Sequence, residues 1–237
     1  MTNYRISGND NSYIFCEEKS DSLPLNEDGL YAHNPCVFET HSGILFDFSN
    51  PKPEMINFND MCRGLAREPR FKGHCDINYC VMQHELIVSY LVPQKEILVV
   101  QEGLFHDNEE YITGDWPKPL KNIPGMEVLI AKANEIRNMI LNEYIFVGEN
   151  IKKLPQEDVH PLVKKADKIA YLIERDWFKH KLKVISSAYE IPIYPCDFSF
   201  ISLFSAIKDV LCFKGSEDKL IEMYVARCKQ IGIDIDR

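Results

Sequence analysis

The sequence predicts a mostly α protein with a short irregular or β addition at its N-terminus. Two observations carry this. From residue 57 onward, apolar residues recur at the three- and four-residue spacing of helices. The stretches that carry the spacing are closed by Pro, Gly and capping residues. Before residue 37 the spacing is absent, and Asn, Asp, Ser and Glu crowd the chain.

Residues 1–36 therefore read as an arm, partly irregular, with Tyr13, Ile14 and Phe15 as its packing points. Residues 37–50, around Ser42-Gly43, read as a short hairpin closed by Pro51 and Pro53, because proline cannot donate to a ladder. A first helix is capped by Asn59 or Asp60, carries Met61, Leu65 and Ala66, and ends near Pro69. A second runs from about 76 to 91, and a third from about 96 to 112, stopped by Gly114-Asp115 and Pro117. A fourth spans about 126–145, and a fifth about 158–178 with Pro161 in its first turn. Two more, at about 197–211 and 216–230, close the chain. There is no internal repeat and the loops are of modest length, so residues 37–237 read as a single helical domain.

Charge narrows the partners. Thirty-six acidic residues against 27 Lys plus Arg give a net charge of −9 in 237 residues. Proteins that coat a nucleic-acid backbone carry a basic excess, so no nucleic-acid polymer is expected here. A small anion held by a few local positive groups or a metal remains open. The longest strongly apolar run, Ile97 to Val100, falls far short of the ~20 residues of a spanning helix. The polar N-terminus lacks the apolar core of a signal peptide. The expected setting is the cytoplasm, without a membrane partner. Eight cysteines without a CxxC pair read as reduced thiols, mostly packing residues. There is no Gly-rich phosphate loop and no GxSxG.

The informative residues are polar ones that interrupt buried stripes. On the second helix, Ile77, Cys80, Val81, Ile87, Val88 and Leu91 form the apolar face, and His84 falls in its middle. One such His alone is more often a satisfied core residue. On the third helix, Ile97, Val100 and Leu104 set a stripe that meets His106-Asp107, with Glu110 one turn on. On the fifth, Val163, Ala166, Ala170, Ile173 and Trp177 mark the buried side, and Asp167 lies within it. Burying such groups without partners costs several kcal/mol each. Two His and two Asp projecting inward from three helices suit a transition-metal ion or a harder divalent ion. Arg70 offers a forked donor to phosphate, with a salt bridge to Glu68 or another acid as the alternative. Asp115 reads equally as a turn residue. A zinc site of His74, Cys75, Cys80 and His84 fits poorly, because Cys75 and Cys80 are five apart. The stripe Leu220, Met223, Tyr224 and Cys228 reads as core or a subunit contact.

His84, His106-Asp107 and Asp167 together resemble the H…HD…D signature of the HD-domain metal-dependent phosphohydrolases. Longer segments sharpen the likeness. RFKGHCDINYCVMQHE (70–85), HDNEEYITGDWPKPLK (106–121) and KKADKIAYLIERD (164–176) resemble segments of the branch containing YfbR-like 5′-deoxynucleotidases and phage dATP triphosphohydrolases. The likeness covers roughly residues 40–180.

The resemblance implies an HD-domain helical bundle and one divalent metal ion (Co²⁺, Mn²⁺, Zn²⁺ or Mg²⁺) on His84, His106, Asp107 and Asp167. It implies that Glu110 acts with Asp107 in catalysis, handling the attacking water and the leaving group. Arg70 matches a phosphate-binding arginine, Asp115 an acidic residue near the sugar, and His74 and Lys121 further phosphate contacts. Phe71 replaces a Trp of the monophosphate-specific enzymes, and Gln-His-Glu at 83–85 replaces Gln-His-Ser. The implied activity is hydrolysis of a small-molecule deoxynucleotide, either a dNMP or a dNTP such as dATP. The alternatives are a non-catalytic nucleotide-binding module and a phosphodiesterase or alarmone hydrolase. The resemblance also implies a homo-oligomer, at least a dimer.

Overall fold

The computed structural model describes residues 3–7, 14–18, 36–146, 159–178 and 200–236. Of the arm's expected packing points, Tyr13 lies outside the described residues, while Ile14 and Phe15 are described only as strand residues. Within the arm, β1 (Asn3–Ser7) pairs antiparallel with β2 (Ile14–Glu18), Asn3 opposite Glu18 and Ser7 opposite Ile14. This strand pair is the β part of the short irregular or β addition expected at the N-terminus.

The second hairpin falls where the sequence puts it, as β3 (Val37–Glu39) and β4 (Leu45–Asp47). Its turn passes through Gly43 at φ 86°, a value that glycine adopts without strain. Phe46 anchors it in the core with no exposed surface. Asp60 docks it onto the first helix: the Thr40 and Ser42 hydroxyls each donate to Oδ2 at 2.6 Å.

That helix, α1 (Phe58–Arg67), starts where Asn57 Oδ1 accepts the Asn59 and Asp60 N–H groups at 2.9 and 3.1 Å. It is followed by α2 (Val81–Leu91), α3 (Ile97–Phe105), the short α4 (Glu110–Thr113) and α5 (Lys118–Lys121), and α6 (Glu127–Tyr144). Then come α7 (Pro161–Phe178), α8 (Phe200–Leu211) and α9 (Glu217–Gln230). The fold is mostly helical, as the periodicity predicts. None of the described helices is long and apolar enough to cross a membrane.

Three departures matter for the site. First, α2 is not a one-faced helix. It packs against α1, α3, α7, α8 and α9, and every residue but Tyr90 is buried. A helix surrounded on all sides is expected to be apolar all round, yet α2 carries Gln83, His84, Glu85 and Ser89. Each needs a partner. Gln83 Nε2 donates to Val210 O at 2.9 Å, and Ser89 Oγ to Leu86 O at 2.7 Å.

Second, α2 begins five residues later than the periodicity suggests. The Arg70 N–H donates to Tyr79 O at 2.9 Å and the Val81 N–H to Glu68 O at 3.0 Å. Those backbone groups are spent pairing residues 68–70 with 79–81, so they cannot serve a helix. Third, the expected 96–112 helix breaks at His106. Beyond Phe105 the bonds tighten to three-residue spacing, with Glu110 N–H to Asp107 O at 2.9 Å and Tyr111 N–H to Asn108 O at 3.2 Å. Trp177, expected inside, is 40% exposed, while Glu174 and Phe178 take the buried positions of α7.

Gly64 lets α1 come against α4. A Cβ there would lie 2.5 Å from the Tyr111 carbonyl oxygen, so only glycine fits without a shift.

Candidate metal centre

His84 lies mid-way along the central helix with no exposed surface. Its Nδ1 faces Glu174 Oε1 at 2.5 Å, which leaves Nε2 on the opposite side of the ring. That Nε2 is buried and in no hydrogen bond, with Asp167 Oδ1 at 3.1 Å and Asp107 Oδ2 at 3.7 Å. His106 repeats the arrangement. Its Nδ1 lies 3.0 Å from Gly103 O, a pure acceptor, so Nδ1 carries the proton. Its Nε2 is likewise buried without a hydrogen bond, 3.3 Å from Asp107 Oδ2. His84, His106 and Asp107 each bring a ligand atom within 4.8 Å of the others.

A buried imidazole nitrogen without a partner costs free energy. Here two of them converge on one carboxylate, and each ring is held at its other nitrogen by an oxygen acceptor. Metal-binding histidines are held in this way. The donor set therefore fits a divalent cation.

Asp167 joins this group only through His84. Its side chain is 45% exposed, so it edges the cleft rather than sitting in the buried stripe of α7. Burial works to raise its pKa, but the neighbouring His84 outweighs it and holds the carboxyl below the usual range. For Asp107, too, the rise from burial is overcome by His106, His84 and Arg70, and the group is firmly ionised. His84 is pushed up to about 9: burial and Arg70 lower its pKa, and Glu174 and Asp167 more than offset them.

Arg70 occupies a short 3₁₀ turn (Arg70–Gly73) just after α1. It is buried. Its NH1 is 3.7 Å from Asp107 Oδ2 and 4.0 Å from Asp115 Oδ2, and its NH2 is 3.4 Å from Glu174 Oε2. Its Nε has no hydrogen-bond partner. Glu68, the salt-bridge partner open from sequence, instead accepts the Asp115 N–H at 2.9 Å and lies 3.3 Å from Lys72 Nζ. Phe71 and Lys72, directly after Arg70, both adopt left-handed backbone, φ 55° and 54°. For a bulky side chain that is a strained state, and such strain gathers at functional sites.

Glu110 opens α4 with a buried side chain. Its Oε2 has no hydrogen-bond partner, and Lys121 Nζ stands 3.6 Å from Oε1. Burial, then Asp107 and Asp115, push its pKa well above 4.5. Glu109 beside it is pushed up to about 7 by burial and Asp107. Among the described residues, Asp107, Glu109, Glu110, Asp115, Asp167 and Glu174 thus crowd around Arg70 and Lys121, with Arg137 acting on Glu109. The excess of carboxyl groups favours an added positive charge.

Of the residues singled out in the sequence, His84, His106, Asp107 and Asp167 adjoin one another, and Arg70, Glu110, Asp115 and Lys121 ring them. His74 does not join them. It stands exposed at the end of the 3₁₀ turn, and among the described residues no hydrogen bond or ion pair ties its ring to the cluster.

The sequence reading missed Glu174. It lies seven residues after Asp167, the spacing that returns a helix to the same face, and that was the available signal. It also missed the support behind the site. With its amide turned to suit its neighbours, Asn108 Nδ2 donates to Glu85 Oε2 at 2.9 Å and to Tyr224 Oη at 3.0 Å. The residues next to His84 and Asp107 are thereby bonded to each other. A cavity of about 600 Å³, lined by Ile77, Asn78, Phe213 and Ser216 among others, contains none of the cluster residues. Cys62 and Cys80 are buried, and burial pushes both thiols up to about 12, which suits packing rather than nucleophilic work.

No family model matches the chain. It is 36% identical over 85 residues to the Uncharacterized protein YfdR of Escherichia coli (strain K12), covering 36% of this chain and 46% of that protein. It is 33% identical over 86 residues to the Uncharacterized protein RCAP_rcc00048 of Rhodobacter capsulatus, covering 34% of this chain and 44% of that protein. The chain therefore spans less than half the length of these curated relatives.

Proposed function

We propose that the chain is an HD-type metal-dependent phosphohydrolase that acts on deoxynucleotides. One observation carries the reading. Two buried histidine Nε2 atoms lack partners and face the same Asp107 carboxylate, with both Nδ1 atoms already engaged.

A divalent cation held by His84, His106, Asp107 and Asp167 would supply Lewis acidity to a phosphoryl oxygen. The remaining work falls to the chain's own groups. Glu110, with a raised pKa and a bare Oε2, is suited to take a proton from the attacking water and return it to the leaving oxygen. Arg70 turns its NH1 edge toward Asp107, where a phosphate oxygen would also gather. Lys121 adds a second positive charge beside Glu110. Asp115, near the Arg70 fork, is placed to accept from a sugar hydroxyl.

The test is phosphate release from panels of dNMPs and dNTPs by the purified chain with Mn²⁺ or Co²⁺. Turnover of at least one class is expected. A metal-loaded protein that hydrolyses no nucleotide overturns the reading.

A further inference from the structure

Glu174 lies on α7, two turns beyond Asp167, and has no exposed surface. A fully buried carboxylate is costly unless its lone pairs are filled. Here they are filled by groups from two different parts of the site. Oε1 meets His84 Nδ1 at 2.5 Å and accepts from the Tyr79 hydroxyl at 2.9 Å. Oε2 meets Arg70 NH2 at 3.4 Å. Tyr79 and Arg70 are themselves joined by the 2.9 Å backbone bond between the Arg70 N–H and Tyr79 O. Tyr79 in turn packs its ring on Phe178, one turn along α7, at 4.6 Å between centroids. One carboxylate thus touches the central helix, the strained turn and the loop that pairs with it.

We propose that Glu174 is a positioning residue that sets the two halves of the site together, orienting His84 toward the cation through Oε1 and Arg70 toward the phosphate through Oε2. The inference rests on the functional reading above. It adds a residue that neither binds the cation nor touches substrate. The alternative is a purely structural carboxylate that neutralises Arg70. That role requires contact with Arg70, but not the Oε1 contact with the nitrogen opposite the bare Nε2 of His84. The two-sided geometry favours positioning. Carboxylate partners of ligating histidines typically affect metal affinity or activity by about 10–100-fold.

The test uses the full chain and the metal alone before any substrate. Glu174→Gln places an amide where both oxygens must accept, so one of the His84, Tyr79 and Arg70 contacts is lost. Mn²⁺ affinity, measured by chelator competition, should fall about 10–100-fold. The visible spectrum of the Co²⁺-loaded protein should change as His84 loses its orientation. With Mn²⁺ at saturation, KM for the best nucleotide should rise as Arg70 is freed, a shift that a loss of packing would not produce selectively. If Glu174→Gln does not fold, Glu174→Asp retains the charge and shortens the reach, and Mn²⁺ affinity should still fall at least about threefold. A folded variant with unchanged Mn²⁺ affinity, Co²⁺ spectrum and KM overturns the proposal. Wild-type protein separates this from the broader reading. If wild type binds Mn²⁺ and hydrolyses nucleotides while the variants match it, only the role of Glu174 fails. If wild type binds no divalent ion, the functional reading fails with it.

Discussion

Replacing Glu110 with Gln should lower activity and raise stability together. The wild-type carboxyl group is buried, its Oε2 has no partner, and three other acids surround it. Its nearest compensation is Lys121, 3.6 Å from Oε1. Gln keeps the shape and removes the charge. A buried charge left without a partner costs at least about 1–3 kcal/mol, and the neutral amide relieves that cost and the repulsion from Asp107, Asp115 and Glu109. For a chain of this length each kcal/mol moves Tm by about 2–4 °C, so Glu110→Gln should melt roughly 2–12 °C higher.

The pH dependence gives the sign. The folded pKa of Glu110 lies well above its ordinary 4.5, so the native state binds more protons than the unfolded state. Wild-type stability then falls as pH rises from 4.5 toward the folded value. The advantage of the variant should be small near pH 5 and grow toward pH 8 in melts recorded with EDTA. Its rate with saturating Mn²⁺ should drop by about 10²–10⁴, or roughly 2.7–5.4 kcal/mol of barrier. Mn²⁺ affinity should stay within a few fold. A variant that melts lower, binds metal poorly or turns over near the wild-type rate would refute this reasoning.

Two further outcomes follow from the geometry. Because His84 is pushed up to about 9 in the metal-free protein, metal uptake at pH 7 must displace its proton. Calorimetry in buffers of differing ionisation enthalpy should find about one proton released per ion, with affinity weakening as pH falls, and no release would contradict the assignment of His84. Gly64→Ala, which in an exposed helix would gain about 1 kcal/mol, should instead cost about 1–3 kcal/mol, because its Cβ meets the Tyr111 carbonyl at 2.5 Å. Thermal melting reads the loss, and a higher Tm would show that α1 and α4 can part without cost.

The sequence exposed the helices wherever one face met solvent. The apolar spacing places α6 and α9 within a residue or two of their observed ends, α1 is capped two or three residues earlier, by Asn57, and the Ser42-Gly43 turn marks the β3–β4 hairpin. It failed where tertiary contacts overrule local spacing. Residues 76–80 have helical periodicity, but Tyr79 O and the Val81 N–H pair with Arg70 and Glu68. The His106 break leaves no mark in the sequence, because His106 and Glu109 keep helical dihedrals and only the hydrogen-bond spacing tightens. His84 and His106-Asp107 were legible because they break apolar stripes, whereas Asp167 flanks the buried stripe of α7 instead of sitting in it. Glu174 was not legible, because a single Glu on a helix rich in charge looks like a solvated residue.

The most direct measurement is divalent-metal binding to purified protein, followed by Mn²⁺ titration of wild type and His106→Ala. The account predicts one equivalent per wild-type chain and none held by the variant, whose fold is checked by circular dichroism. Wild-type protein that takes up no divalent ion, or a variant that binds it equally well, would contradict the site.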